Sequence, residues 1–130
     1  MANRKIHPLF DSYCYGPADL LELQKGDSTM WLTLRDSAGK RTEAVYCGCV
    51  YWRLDQTGIR LSLVQRVTAQ ELLERHQAIT VRELRKNATD VAGLLQEWED
   101  AGLSFFLHLG SRPGMEYLVV ARSLEYRDVN

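Results

Sequence analysis

Proline, cysteine and charge of one sign are all scarce in this sequence, and each shortage excludes something. Three prolines and nine glycines in 130 residues, with no stretch dominated by Pro, Gly or Ser, exclude collagen-like, linker-like and low-complexity organisation. Three cysteines, Cys14, Cys47 and Cys49, are an odd number, so a fully paired disulfide framework is excluded and reduced thiols are the simplest reading. The longest apolar-leaning stretch, Ala44 to Trp52, falls well short of the about 18 residues a membrane helix needs, and it is rich in the aromatic and β-branched residues of a sheet strand. Met1 to Pro8 is basic but leads into no apolar run of a secretory leader, so the expectation is a cytoplasmic protein with no membrane partner. With 16 Lys and Arg against 17 Asp and Glu the net charge is −1, which leaves no global field for nucleic acid or an anionic membrane.

What remains is an ordinary globular chain, 45% hydrophobic and 25% charged, of the length of one domain spanning residues 1–130. Splitting it at Val67 gives 9 basic against 7 acidic residues before and 7 against 10 after, too small a contrast to separate two units. Its first half alternates as strands do. Met30, Leu32 and Leu34 alternate with Trp31, Thr33 and Arg35, the Gly39 turn follows, and Thr42 to Leu54 makes a long second strand. Gly48 in the middle of that strand marks a bulge or a close approach of another backbone. After the Gly58 turn, Ile59 to Val64 is a third strand, completing an antiparallel meander, while Asp19 to Gln24 reads as an additional edge strand or a short helix, the strand being preferred.

The period changes at Thr68, where Thr68-Ala69-Gln70-Glu71 has the spacing of a helix capping box, and a short helix to about His76 is expected. Thr80-Val81-Arg82-Glu83 repeats that signal. Val91, Leu94, Leu95 and Trp98 then form one face of a further helix, closed by Gly102. Leu103 to Leu109 and Met115 to Arg122, joined across Gly110 to Gly114, form a C-terminal hairpin. The expected fold class is α+β: a mostly antiparallel sheet of five or six strands, a meander, then helices, then the hairpin, packed against two or three helices.

Few residues point to chemistry. Cys47-Gly48-Cys49 with Cys14 or a histidine could supply soft ligands for zinc or a reactive thiol, but two cysteines two apart on a strand share a face and read as small buried hydrophobes. His7, His76 and His108 stand apart, and none has a catalytic motif around it. His108 alternates with Phe105, Leu107 and Leu109 and so reads as solvent-facing or at an edge, and His76 reads as a helix-end cation. Glu97, Glu99 and Asp100 read as the wet side of a helix, and neither of the common glycine-rich phosphate-binding motifs occurs. No cofactor or metal is expected.

The stretch Leu94-Leu95-Gln96-Glu97-Trp98-Glu99-Asp100-Ala101-Gly102-Leu103 resembles the end of a recognition helix running into the first strand of a wing. Residues 80–120 are thus similar in outline to winged-helix proteins, which implies a DNA-binding regulator of transcriptional or phage type. The would-be recognition helix carries Asp90, Glu97, Glu99 and Asp100 and no Lys or Arg, the wrong charge for a helix facing phosphates, so nucleic acid is disfavoured. The order of elements over residues 30–122 also resembles the small chaperones of type III secretion. Only eight residues follow Arg122, which leaves no room for their last helix.

The surface residue types favour protein contact instead. Six Tyr, three Trp and 12 Arg among the 16 basic residues are of the kinds enriched at interfaces. Tyr46 to Arg53 is apolar on both faces, with Tyr46, Val50 and Trp52 on one and Val45, Cys47, Cys49 and Tyr51 on the other, so it must be covered twice, by the chain's own helices or by a partner. The reading is a non-enzymatic interaction module of inhibitor, immunity, adaptor or chaperone type, binding another protein or a second copy of itself. The candidate residues are Tyr46, Tyr51, Trp52 and Arg53, with Tyr13, Tyr15 and Arg112 from presumed loops. A DNA-binding regulator and a small metal or thiol enzyme are the alternatives.

Overall fold

The computed structural model describes residues 3–5, 12–53, 57–76, 84, 89–110 and 116–128, with backbone alone for 3–5, 12–16, 63 and 128. The strands are β1 (Asn3–Lys5), β2 (Ser12–Lys25), β3 (Thr29–Asp36), β4 (Arg41–Cys47), β5 (Tyr51–Trp52), β6 (Arg60–Val67), β7 (Ser104–Gly110), β8 (Glu116–Ala121) and β9 (Ser123–Asp128). Between β6 and β7 the described helices are α1 (Ala69–Arg75) and α2 (Val91–Asp100). The α+β class holds, but among the described residues the sheet has nine strands, not five or six. The expected meander is not formed: β6 pairs with β2 and β7 and not with β4 or β5, so the consecutive run is β2-β3-β4.

Three local events account for the larger number. Gly48 splits the long second strand into β4 and β5. The chain bends at Arg122 and, instead of ending the hairpin there, continues as β9, which lies between β4 and β1. At the other end β1 adds a short strand on β9, and Asp19 to Gln24 belongs to β2, a strand as preferred but an inner one between β3 and β6, not an edge. The expected helix from Thr80 lies outside the described residues.

Pairing is antiparallel throughout, in the order β1-β9-β4-β3-β2-β6-β7-β8-β5. That order closes on itself. Residues 48–50 join β4 to β5 and Arg122 joins β8 to β9; β4 pairs with β9 from Thr42↔Asp128 to Cys47↔Ser123, and β5 pairs with β8 at Tyr51↔Val120. At the joint the N–H of Arg122 donates to the carbonyl of Cys47 (2.9 Å) and that of Val50 to the carbonyl of Val120 (2.9 Å). The stretch from β4 to β5 therefore pairs with the stretch from β8 to β9, and the sheet curls into a barrel, which removes most of its free edges.

Two cores follow from this curvature. Leu20, Leu32, Leu61, Phe106, Val119 and Tyr126, drawn from β2, β3, β6, β7, β8 and β9, meet in one interior cluster. Alternation along β7 and β8 sends Phe105, Leu107, Leu118 and Val120 the other way, into a second cluster with Leu72, Leu84 and Leu95 beneath the helices. β7 and β8 are thus buried on both faces, and they are staves of the barrel paired to β6 and β5, not a free wing.

The helices are anchored as their sequences direct. Thr68 and Glu71 form the expected capping box, the amide of Glu71 donating to Thr68 Oγ1 at 3.1 Å. Asp90 caps α2 by accepting from the amide of Gly93 at 3.0 Å, and Gly102 ends it at φ +83°. Leu95 is fully buried, and the amide of Ala69 reaches across to Glu99 Oε2 at 3.4 Å. Among the described residues no helix is long and apolar enough to cross a membrane.

Candidate functional site

The segment Tyr46 to Arg53 runs along the joint of the barrel, and its residues divide between interior, helix layer and surface. Gly48 decides the division. It sits at φ +65°, a conformation that costs a residue bearing a Cβ, and a Cβ there would lie 2.8 Å from Cγ and Cδ of Arg122. This irregularity breaks the alternation. Cys47 is exposed and Cys49 buried, so the two thiols do not share a face, contrary to the expectation for an unbroken strand. Val50 turns out to solvent and is 49% exposed, whereas regular alternation would place it beside Tyr46.

Tyr46 is fully buried in the interior cluster and cannot meet a partner, which corrects its place among the contact candidates. Its ring packs edge-on against Phe106 at 5.4 Å between centroids, and its hydroxyl is hydrogen-bonded to Nε2 of His108. His108 is itself completely buried, not solvent-facing. The reason is that the strand's second face, with Phe106, points into the barrel instead of out to water. Burial pushes its pKa down to about 3, so the imidazole is neutral at ordinary pH.

Tyr51 faces the other way and is covered by Trp98 of α2, with ring centroids 5.9 Å apart. The chain's own helix layer therefore supplies the second cover there. Trp52 is half-buried against the interior cluster, with Lys25 Nζ 4.1 Å from the centre of its ring. Lys25, Ser28, Met30, Cys49 and Trp52 line a shallow dent with no room for a water molecule. In it the Cys49 thiol donates to the carbonyl of Tyr51 (3.6 Å) and is held above the usual thiol range by burial, the reverse of what activates a nucleophile. Arg53 is exposed, and its amide donates to the carbonyl of Leu118 at 2.9 Å.

The other candidates are described in part or not at all. Tyr13 and Tyr15 lie in β2, with only their backbone described, and Arg112 lies outside the described residues. His76 at the end of α1 pairs through Nδ1 with Glu116 Oε2 at 3.0 Å, tying the helix to the start of β8. Among the described residues no group of three or more His, Cys, Asp or Glu is arranged to hold a metal.

The structure thus brings together Val50, Trp52, Arg53 and Lys25 at one rim of the barrel. Two of these, Lys25 and Val50, are not among the candidates the sequence offers. Lys25 ends β2 just before the turn at Gly26, and only the fold carries it over Trp52; Val50 was assigned to a face that the irregularity at Gly48 undoes. Comparison with known proteins finds no match to a family model, to a curated protein or to a solved structure.

Proposed function

We propose that the chain is a non-enzymatic protein-interaction module of the inhibitor, immunity, adaptor or chaperone kind, which engages another protein or a second copy of itself through the rim at Val50, Trp52 and Arg53. The observation that carries this reading is Val50, the one large hydrophobic residue strongly exposed among the described residues. It stands two residues from a tryptophan, and Arg53 adds a forked donor beside it. An exposed apolar side chain next to Trp and Arg is the composition of an interface anchor. Lys25 over Trp52 holds the ring in place before any partner arrives, which lowers the entropy lost on binding.

The test is native mass spectrometry and sedimentation of the gently purified protein beside Val50→Asp and Trp52→Ala. The expected result is a homodimer or hetero-complex in the parent that both variants lose while keeping the parent's circular dichroism. A complex of unchanged affinity in folded Val50→Asp overturns this placement. A parent that stays monomeric and without a partner overturns the reading itself.

A further inference from the structure

A second surface lies in the helix layer, where α1 and α2 pack together. Thr68, Ala69, Gln70 and Leu73 on one side and Ala92, Gln96 and Glu99 on the other line a groove of about 460 Å³, room for several side chains. Its floor is apolar and low, because Ala69, Leu73 and Ala92 present methyl groups and no polar atom.

The walls are of a different character. Gln70 donates its Nε2 to Glu74 Oε1 at 3.0 Å, and Gln96 donates its Nε2 to Asp100 Oδ1 at 2.9 Å. Each carboxamide is therefore turned by an acid one turn along its own helix, with its carbonyl oxygen left to accept. Glu99 adds a carboxylate whose Oε2 takes the amide of Ala69. Among the described residues the two helices and their caps carry Glu71, Glu74, Asp90, Glu97, Glu99 and Asp100 against Arg75 and His76, the latter paired with Glu116. Hydrogen-bond acceptors and negative charge around an apolar floor call for an occupant that brings donors, positive charge and small apolar side chains together.

We infer that the groove between α1 and α2 docks a basic amphipathic segment of a partner protein, with apolar residues on the Ala69–Leu73–Ala92 floor and Lys or Arg along the Gln70, Gln96 and Glu99 walls. This surface is separate from the rim at Val50, so the two readings stand or fall independently. Long-range attraction to the acidic helices steers the segment in, and the floor gives it register.

The probe is a synthetic amphipathic helix of Lys, Leu and Ala, titrated into the isotope-labelled full chain, with the same peptide bearing Glu for Lys as control. Saturable amide shifts centred on Ala69, Leu73, Ala92 and Gln96 are expected with the Lys peptide, weakening as salt is raised. Ala92→Arg, at an exposed helix position, fills the groove with a cation and should reduce affinity by at least about tenfold, whereas Val50→Asp should leave it unchanged. Glu99→Gln should weaken binding with α1 still folded by circular dichroism. Shifts scattered over the acidic surface, equal affinity for Ala92→Arg, equal binding of the Glu peptide, or no saturable binding would each overturn the inference.

Discussion

Acid should unfold this protein through His108 in particular, and the size of the effect follows from its place in the barrel. The imidazole is wholly enclosed, in register between Val64 of β6 and Tyr117 of β8, hydrogen-bonded to the Tyr46 hydroxyl and packed edge-on to its ring at 5.8 Å. Burial lowers its pKa from 6.5 in the open chain to about 3 in the fold. Below pH 6.5 the unfolded chain therefore binds a proton that the folded one refuses, so stability falls as pH falls and levels off only near the folded value. The slope approaches about 1.4 kcal/mol per pH unit, and integration from pH 7.5 to pH 5.0 gives a loss of about 2 kcal/mol from this one group. With a urea dependence of about 1–3 kcal/mol per molar, the unfolding midpoint should drop by about 1 M. The comparison protein is the double variant Tyr46→Phe with His108→Leu, which replaces both partners by apolar groups and leaves neither unpaired. Urea titrations of both proteins at the two pH values isolate the term, because the other ionisable groups, including His76 with Glu116, are common to both. The parent should lose about 2 kcal/mol more than the variant. Equal losses refute the argument, and so does a His108 ring resonance that titrates near pH 6.5 in the folded parent.

Three further outcomes test the joint, the helix caps and the thiols. Gly48→Ala should destabilise the fold by about 1–3 kcal/mol, from its positive φ together with the 2.8 Å contact to Arg122, and by more than Gly39→Ala, whose φ is +87° but whose Cβ would meet nothing within 4 Å. Chemical denaturation of the two variants checks this, and equal losses would remove the close approach from the account. Thr68→Ala and Asp90→Ala should each cost about 1 kcal/mol by releasing the amides of Glu71 and Gly93, read from thermal melts. Alkylation followed by peptide mass mapping should modify exposed Cys47 well before Cys49, whose thiol is buried and raised in pKa; similar rates would mean the joint opens in solution.

Legibility in the sequence followed the range of the physics involved. The helix start at Thr68, the end at Gly102 and the turn at Gly39 depend on interactions within a few residues, and they stand where spacing placed them. The break at Gly48 was legible as an irregularity, because glycine inside an apolar strand has few other uses. Its consequence was not: the break reverses the side on which Val50 lies, and alternation can be carried past such a point only if its geometry is known. The same gap misplaced His108. Phe105, Leu107 and Leu109 identify one buried face of β7, but whether the other meets water depends on what lies across the barrel.

Alternation and capping are written in neighbouring residues, so the chain alone determined the α+β class, the helix ends and the antiparallel strands. Closure of the sheet is a matter of distant pairing. Only the tertiary structure decided that β9 lies beside β4, that the sheet has nine strands and two cores, and that Tyr46 is sealed against His108 while Val50, four residues on, faces solvent. The pattern of a strand says which side chains share a face, and the curvature of the whole sheet says where that face points.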